Sequence, residues 1–235
     1  MEFSFISAAI VGLGLWPISG FRASPLPARE NKLYPRNRFL ARFLVVIALW
    51  SLVTGSLGPF FNIYFSQHLH VPVSRIGIVF SVAQLSQVLA ILLAPVIYRK
   101  YGLVTGIMYT QLAAALALGC LAVVPMAVPA AAIYTGYMAL LWMSEPGMYS
   151  LLMSRVGVAE RSSVSALNFF VISLASAIAA AAAGEGFARW GYPAVMAVTA
   201  GVAVIAAATF RGMLGEGAAA RAGSAATAVA GADGS

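Results

Sequence analysis

Glu145 is the one acidic side chain well inside an apolar stretch of this 235-residue chain, within the segment LWMSEPGM at residues 141–148. An ionisable side chain near the bilayer centre costs at least about 2.5 to 3.5 kcal/mol and is a functional candidate for that reason. Apolar surroundings favour a neutral carboxyl, which could take up and release a proton as its exposure changes, or contact a substrate. Two structural roles stay open. The carboxyl could satisfy the helix turn broken by Pro146 and Gly147, or it could pair with Arg155.

Further polar side chains lie in the other apolar stretches. They are Asn62 and Tyr64 near the outer end of the first, Gln84 and Gln87 on one helical face of the second, Gln111 in the third and Asn168 in the fifth. Amides in lipid need a protein partner or a water-filled cavity. These residues are therefore candidates to line a substrate cavity, with helix-to-helix hydrogen bonds, each worth about 0.6 kcal/mol, as the alternative.

Four aromatic side chains raise a similar choice. Trp142, with Trp50, Tyr134 and Tyr137, could form an aromatic wall against a substrate. Aromatic side chains near the ends of membrane spans also lie at the lipid headgroups, which is the alternative for these four.

The residues that enzymes and metal sites need are scarce. The only aspartate, Asp233, lies near the end of the chain, and neither H-E-x-x-H nor G-x-S-x-G occurs. His68 and His70 have no acidic cluster beside them, and Cys120, the single cysteine, is predicted to be a small packing residue. We expect no enzyme, no metal site and no cofactor. A serine paired with a distant histidine is the enzyme alternative that stays open.

Six apolar stretches of about 20 residues must position these side chains. A hydrocarbon core about 30 Å thick needs about 20 residues of helix, and unpaired backbone groups in lipid cost several kcal/mol each. Apolar residues make up 61% of the chain and charged residues 9%, against about 25% in soluble proteins. The sequence predicts an all-α, polytopic membrane bundle with spans Phe43 to Phe65, Ile76 to Tyr98, Leu103 to Val124, Ala130 to Met153, Ser163 to Ala183 and Tyr192 to Phe210.

Basic residues fall in every second gap between these spans. They precede the first span and recur at Arg99 and Lys100, at Arg155 and Arg161, and at Arg211. The opposite gaps hold only Arg75 and Arg189. The positive-inside rule makes the basic side cytoplasmic, so topology rather than a nucleic-acid partner explains the net charge of +7. We expect a multi-pass protein of a bacterial inner membrane with its C-terminus in the cytoplasm.

The two ends of the chain differ from the six spans. Residues 1–20 include a short apolar stretch, which we interpret as a shortened outside-to-inside span, because Glu2 replaces the basic start of a signal peptide. Residues 21–42 are predicted to form a basic cytoplasmic loop. Residues 212–235 are rich in Ala, Gly and Ser and are predicted to be a disordered tail.

The spans also form a repeat in hydropathy. Residues 43–124 hold three spans and residues 130–210 hold three more. Because three is odd, the second triplet enters the membrane from the opposite side. This 3+3 inverted repeat is typical of secondary transporters.

Several segments resemble the major facilitator superfamily. The run GPFFNIYF at 58–65, followed by Arg75-Ile76-Gly77, resembles the family's seventh and eighth helices. Residues 94–102 resemble the loop into its ninth helix, and 145–161 resemble the tenth helix and the turn after it. In that loop the family usually has Asp where this chain has Arg99, and a basic residue where it has Leu103.

The resemblance implies alternating access, in which two six-helix halves move about a central cavity that holds a small solute. Residues 43–211 would be the carboxy-terminal half, with 1–20 as the remnant of a sixth helix. We therefore expect a secondary transporter of a small solute, with proton coupling through Glu145 as one option, working in a lipid bilayer with a second six-helix half from a separate chain or a second copy. The alternative is a truncated or orphan half without transport, which acts as a membrane interaction or dimerising protein.

Overall fold

A computed structural model describes the backbone of residues 37–232 and the side chains of residues 37–214. Every regular element in this range is helical, which confirms the predicted all-α class. Five helical stretches have the length and apolar composition of membrane spans. We number the helices α1 (Arg38–His68), α2 (Val73–Tyr101), α3 (Leu103–Val123), α4 (Ala127–Ser154) and α5 (Arg161–Ala232).

Helix α1 begins earlier than the apolar pattern predicts. The Asn37 side chain accepts a hydrogen bond from the Phe39 N–H at 2.9 Å and caps the helix, so residues 38–42 are helical rather than part of the predicted basic loop. The apolar pattern marks only the first long apolar run and does not reveal this cap. The rest of that loop and the predicted short span at 1–20 lie outside the described residues.

The other end of α1 is irregular. The α-helix stops at Leu57, and the chain continues through a 3-10 turn at Gly58–Phe60, a short α turn at Phe61–Ile63 and a π turn at Tyr64–His68. Pro59 causes the change, because its ring excludes the carbonyl four residues back and it has no N–H to donate. The π turn keeps the backbone hydrogen-bonded, as in the 3.1 Å bond from the Leu69 N–H to the Tyr64 carbonyl.

Helix α5 folds back on itself at Gly191. This glycine has φ 76° and ψ 173°, outside the helical region. On one side of it, Ser176 Oγ donates to the Ser51 carbonyl at 3.3 Å; on the other, Thr199 Oγ1 lies 3.3 Å from Ser56 Oγ. A straight helix would separate residues 176 and 199 by about 35 Å. Both instead contact the same short part of α1, so segments 161–190 and 192–214 form a hairpin.

The helical segment after Gly191 continues to Ala232. The sequence predicts a disordered tail over residues 212–235, of which the structure describes the backbone as far as residue 232. Alanine has the highest intrinsic helix propensity, and the segment is rich in alanine. Low hydrophobicity argued for disorder in the sequence, whereas helix propensity favours a regular backbone.

Small residues bring the inner helices together. Helix α5 packs against α1 and α3, α4 packs against α2 and α3, and α2 lies at the periphery. Gly55 of α1 lies directly on the backbone of Ser176, and a Cβ on Gly119 of α3 would lie 4.0 Å from the Ala200 methyl group. Such close approach is how helices associate in lipid, where the solvent is as apolar as the side chains.

We expect Gly55→Ala to destabilise the bundle. An added methyl group at this position would overlap the Ser176 backbone, which cannot move without displacing segment 161–190. The free energy of unfolding should fall by roughly 1 to 3 kcal/mol, as for overpacked cores. Thermal unfolding in detergent measures the change. Gly136→Ala is the control, because nothing lies within 4 Å of its added Cβ. Equal stability of the two variants would contradict the close helix contact.

Candidate functional site

Glu145 lies within the membrane-spanning length of α4. It is half-buried and sits about 7 Å along the helix from the middle of α4. Among the described residues it has no ion pair and no hydrogen-bond partner. The pairing with Arg155 that the sequence left open is not found there, and the Arg155 guanidinium instead lies 5.6 Å from the centre of the Phe39 ring.

The helix around Glu145 is braced by Tyr98 of α2. Pro146 cannot donate a backbone hydrogen bond, so the Trp142 carbonyl, four residues back in α4, loses its helical partner, and the Met143 carbonyl follows it in the chain. The Tyr98 hydroxyl donates to the Met143 carbonyl at 2.5 Å. The Tyr98 ring lies between two glycines, since a Cβ on Gly147 would come within 2.8 Å of it and one on Gly106 within 2.6 Å. Tyrosine fits here only because both neighbours lack a side chain.

Sequence reasoning did not single out Tyr98. A tyrosine near the end of a span looks like an interfacial aromatic residue. The available signal was the pair of prolines, Pro95 in α2 and Pro146 in α4, because each frees a carbonyl that needs a donor. The tertiary structure brings these two proline segments together across a cleft of about 400 Å³.

Gln84 and Gln87 lie near the middle of α2. Gln84 is exposed and Gln87 is half-buried. Gln87 shares a face of α2 with Ala90 and Ala94, and those two alanines pack against Met143 of α4. The predicted pair of glutamines therefore lies at mid-span, next to the helix that carries Glu145.

Asn62 and Trp142 are also accessible. Asn62 is exposed in the irregular part of α1, and Trp142 has 38% of its surface exposed one turn before Pro146. Five of the eight predicted site residues are therefore accessible on the bundle, namely these two together with Gln84, Gln87 and Glu145. We call these five the accessible polar set.

The other three predicted site residues are inside the bundle. Tyr64 is buried and donates to the Leu121 carbonyl at 3.4 Å. Gln111 is buried, and its Nε2 donates to Met148 Sδ at 3.6 Å. Asn168 is buried as well. Tyr64 and Gln111 thus make the helix-to-helix contacts that were the alternative to cavity lining.

Two buried amide oxygens have no hydrogen-bond partner within the described part of the chain. They are Gln111 Oε1 and Asn168 Oδ1, and Trp50 Nε1 is a third buried polar atom in the same condition. Buried polar atoms are normally paired. No hydrogen bond in the described range joins any two of the eight predicted residues.

The predicted aromatic wall does not form. Trp50, Tyr134 and Tyr137 each have 1% of their surface exposed, and Tyr134 packs against Phe61 with ring centres 4.6 Å apart. These side chains are neither at an open cavity nor at the bundle surface. They are core residues, and Trp142 alone of the four is accessible.

The chemistry available on the bundle surface is hydrogen bonding and proton exchange. In the accessible polar set, the Glu145 carboxyl can bind or release a proton, and this carboxyl and the three amides can hold a polar solute. Over residues 37–214 no group of three His, Cys, Asp or Glu side chains is placed to hold a metal ion.

We expect Gln84→Cys to react with a water-soluble, membrane-impermeant thiol reagent in a variant whose Cys120 is replaced by serine. Thiols react as thiolates, which form only where water reaches them. Leu85→Cys is the matched control, because Leu85 is more than half exposed at the same depth on another face of α2. If Gln84→Cys is labelled at least about tenfold faster than Leu85→Cys, water reaches the middle of the span. Equal labelling would contradict a water-filled surface at the glutamines.

Comparison with protein-family models and with curated proteins finds no match to this chain. The similarity to the major facilitator superfamily stays a prediction from the segments at 58–77, 94–102 and 145–161.

Proposed function

We propose that this chain is one half of a secondary transporter for a small solute and that it functions with a second six-helix half. The accessible polar set is the observation that carries the proposal. Gln84, Gln87 and Glu145 lie near the middle of span-length helices, where exposure to hydrocarbon is costly. A second half would cover this surface and enclose water and solute between the two.

The fold-back at Gly191 supports six crossings. The fifth apolar stretch, Val158–Leu214, has 57 residues and would span about 85 Å as one helix, nearly three times the thickness of the hydrocarbon core. If segments 161–190 and 192–214 each cross once, α1 to α4 bring the total to six. The arrangement would be the 3+3 inverted repeat, with both ends of the bundle on the cytoplasmic side of a bacterial inner membrane.

Two helices carry features that suit a moving element. Pro95 lies inside α2 and Pro146 inside α4, and prolines are common points of bending. Glu145 precedes one of these points directly. A bend there would change the exposure of its carboxyl to water, which is how transport could be coupled to protons.

The same exposed surface supports the alternative function. An orphan half that pairs with itself would also cover Gln84 and Glu145, without moving any solute. The halves of many transporters are related by a two-fold axis along the membrane normal, and two copies of this chain could mimic that relation. Transport measurements separate the two functions.

We expect Glu145→Gln to abolish proton-driven uptake while leaving the protein level unchanged. The amide keeps the size of the carboxyl but cannot exchange a proton, so coupling should fall at least about tenfold. The assay uses the full chain in proteoliposomes with a trapped pH dye, an imposed pH gradient and a panel of sugars, organic acids and organic cations.

Glu185→Gln is the matched control, because Glu185 is an exposed carboxyl paired with Arg189. Unchanged uptake in Glu145→Gln would return Glu145 to a structural role. A wild-type chain that moves no compound of the panel and still pairs with itself would favour the dimerising function. A lone monomer in detergent that catalyses uptake after reconstitution would refute the need for a second half.

A further inference from the structure

An exposed apolar stripe runs along α2 toward its C-terminal end. Leu85, Leu89, Leu92 and Val96 are each more than half exposed. Their spacings of four, three and four residues place them on one face of the helix. Arg99 follows three residues later and continues the same face. The stripe therefore changes from hydrocarbon to positive charge at the end of a membrane-spanning helix.

The cleft between the proline segments opens at this end of the stripe. It holds about 400 Å³, and its lining includes Pro95 and Arg99 of α2, Leu103 of α3, and Pro146 and Ser150 of α4. Among the described residues that line the cleft, Arg99 is the only charged side chain, and Ser150 contributes a hydroxyl group. The Tyr98 hydroxyl, which also lines the cleft, donates a hydrogen bond to the Met143 carbonyl. Within the described residues the cleft lining carries no carboxylate, and Arg99 has no ion-pair partner.

Two further features make this end of the cleft positive. Lys100 follows Arg99, and its ammonium group lies 5.3 Å from the centre of the Tyr101 ring. Helix α3 begins at Leu103 without a side-chain cap, and its first backbone bond runs from the Gly106 N–H to the Gly102 carbonyl. The leading N–H groups of α3 are thus free donors at the positive end of a helix dipole.

We propose that this cleft binds the phosphate headgroup of an anionic phospholipid, with an acyl chain of the same lipid along the α2 stripe. Arg99 and the first turn of α3 supply charge and donors for the phosphate, and Ser150 supplies a hydroxyl. Basic pockets between helices at a membrane surface bind such headgroups. A zwitterionic headgroup also carries a cation, and the described lining offers no carboxylate to pair with it. Free phosphate shares the headgroup chemistry but would leave the stripe uncovered.

The test measures lipid retained by the full chain in detergent. Native mass spectrometry follows binding of dioleoyl phosphatidylglycerol, and dioleoyl phosphatidylcholine serves as the neutral comparison. We expect the wild-type chain to retain phosphatidylglycerol preferentially. Arg99→Gln with Lys100→Gln should weaken retention roughly tenfold or more, since each cation near a charged headgroup contributes about fivefold. Arg75→Gln with Arg161→Gln removes the same charge elsewhere and should retain the lipid.

A second variant tests the cleft without removing charge. Ser150 is exposed, so Ser150→Phe can fill the cleft without disturbing the core, and it should also lose phosphatidylglycerol. This variant decides the question if the double substitution at 99 and 100 fails to fold. Equal loss in the control pair, or full retention by Ser150→Phe, would overturn the proposal. The site would be assigned to a free anion instead if millimolar inorganic phosphate released the lipid and stabilised the protein as much as the lipid does.

Discussion

The structure depends above all on keeping backbone hydrogen bonds paired where no water can replace them. This makes every span helical and leaves few places where the helix can be interrupted. Three interruptions in the described range have a local structural feature beside them. The turns after Pro59 change to 3-10 and π geometry, the Tyr98 hydroxyl bonds the Met143 carbonyl beside Pro146, and Gly191 reverses the chain at a helix end. The irregular points are therefore few and specific, and two of them adjoin predicted site residues.

Close packing decides which helices are inside. Glycine and alanine let segment 161–190 and segment 192–214 approach α1 and α3, and the large aromatic side chains fill the space around residues 58–68. Few residues of helix α2 are buried, and these are Ile76, Ala83, Ala90 and Ala94. Helix α2 also contacts α3 and α4 through the Tyr98 ring, which lies between Gly106 and Gly147. It remains peripheral, with one apolar face toward lipid and its glutamines near α4. The same helix thus contributes residues both to the accessible polar set and to the cleft between the proline segments.

Transport and dimerisation share one physical requirement, which is that polar groups at mid-span be covered. They differ in whether the covered surface must open again. Prolines in α2 and α4 on either side of the cleft favour movement, whereas the Tyr98 wedge between Gly106 and Gly147 holds these helices together. A bound lipid headgroup at the cleft would act on the same joint, so lipid composition and helix movement would be linked through these contacts.

The sequence predicts the helical class and the position of most spans, because apolar length and backbone pairing leave little freedom in lipid. It also identified Glu145, Gln84 and Gln87 as polar groups at mid-span, since their cost depends on depth alone. Which side chains are accessible depends on the tertiary structure. Gln111 and Asn168 carry the same amide group as Gln84 and Asn62 but are buried, as is Tyr64. Hydropathy carries no information on the direction a side chain takes around a helix that is apolar on all sides. The Asn37 cap depends on a single hydrogen bond. The Tyr98 wedge and the cleft beside it depend on contacts between segments far apart in the chain, which composition cannot specify.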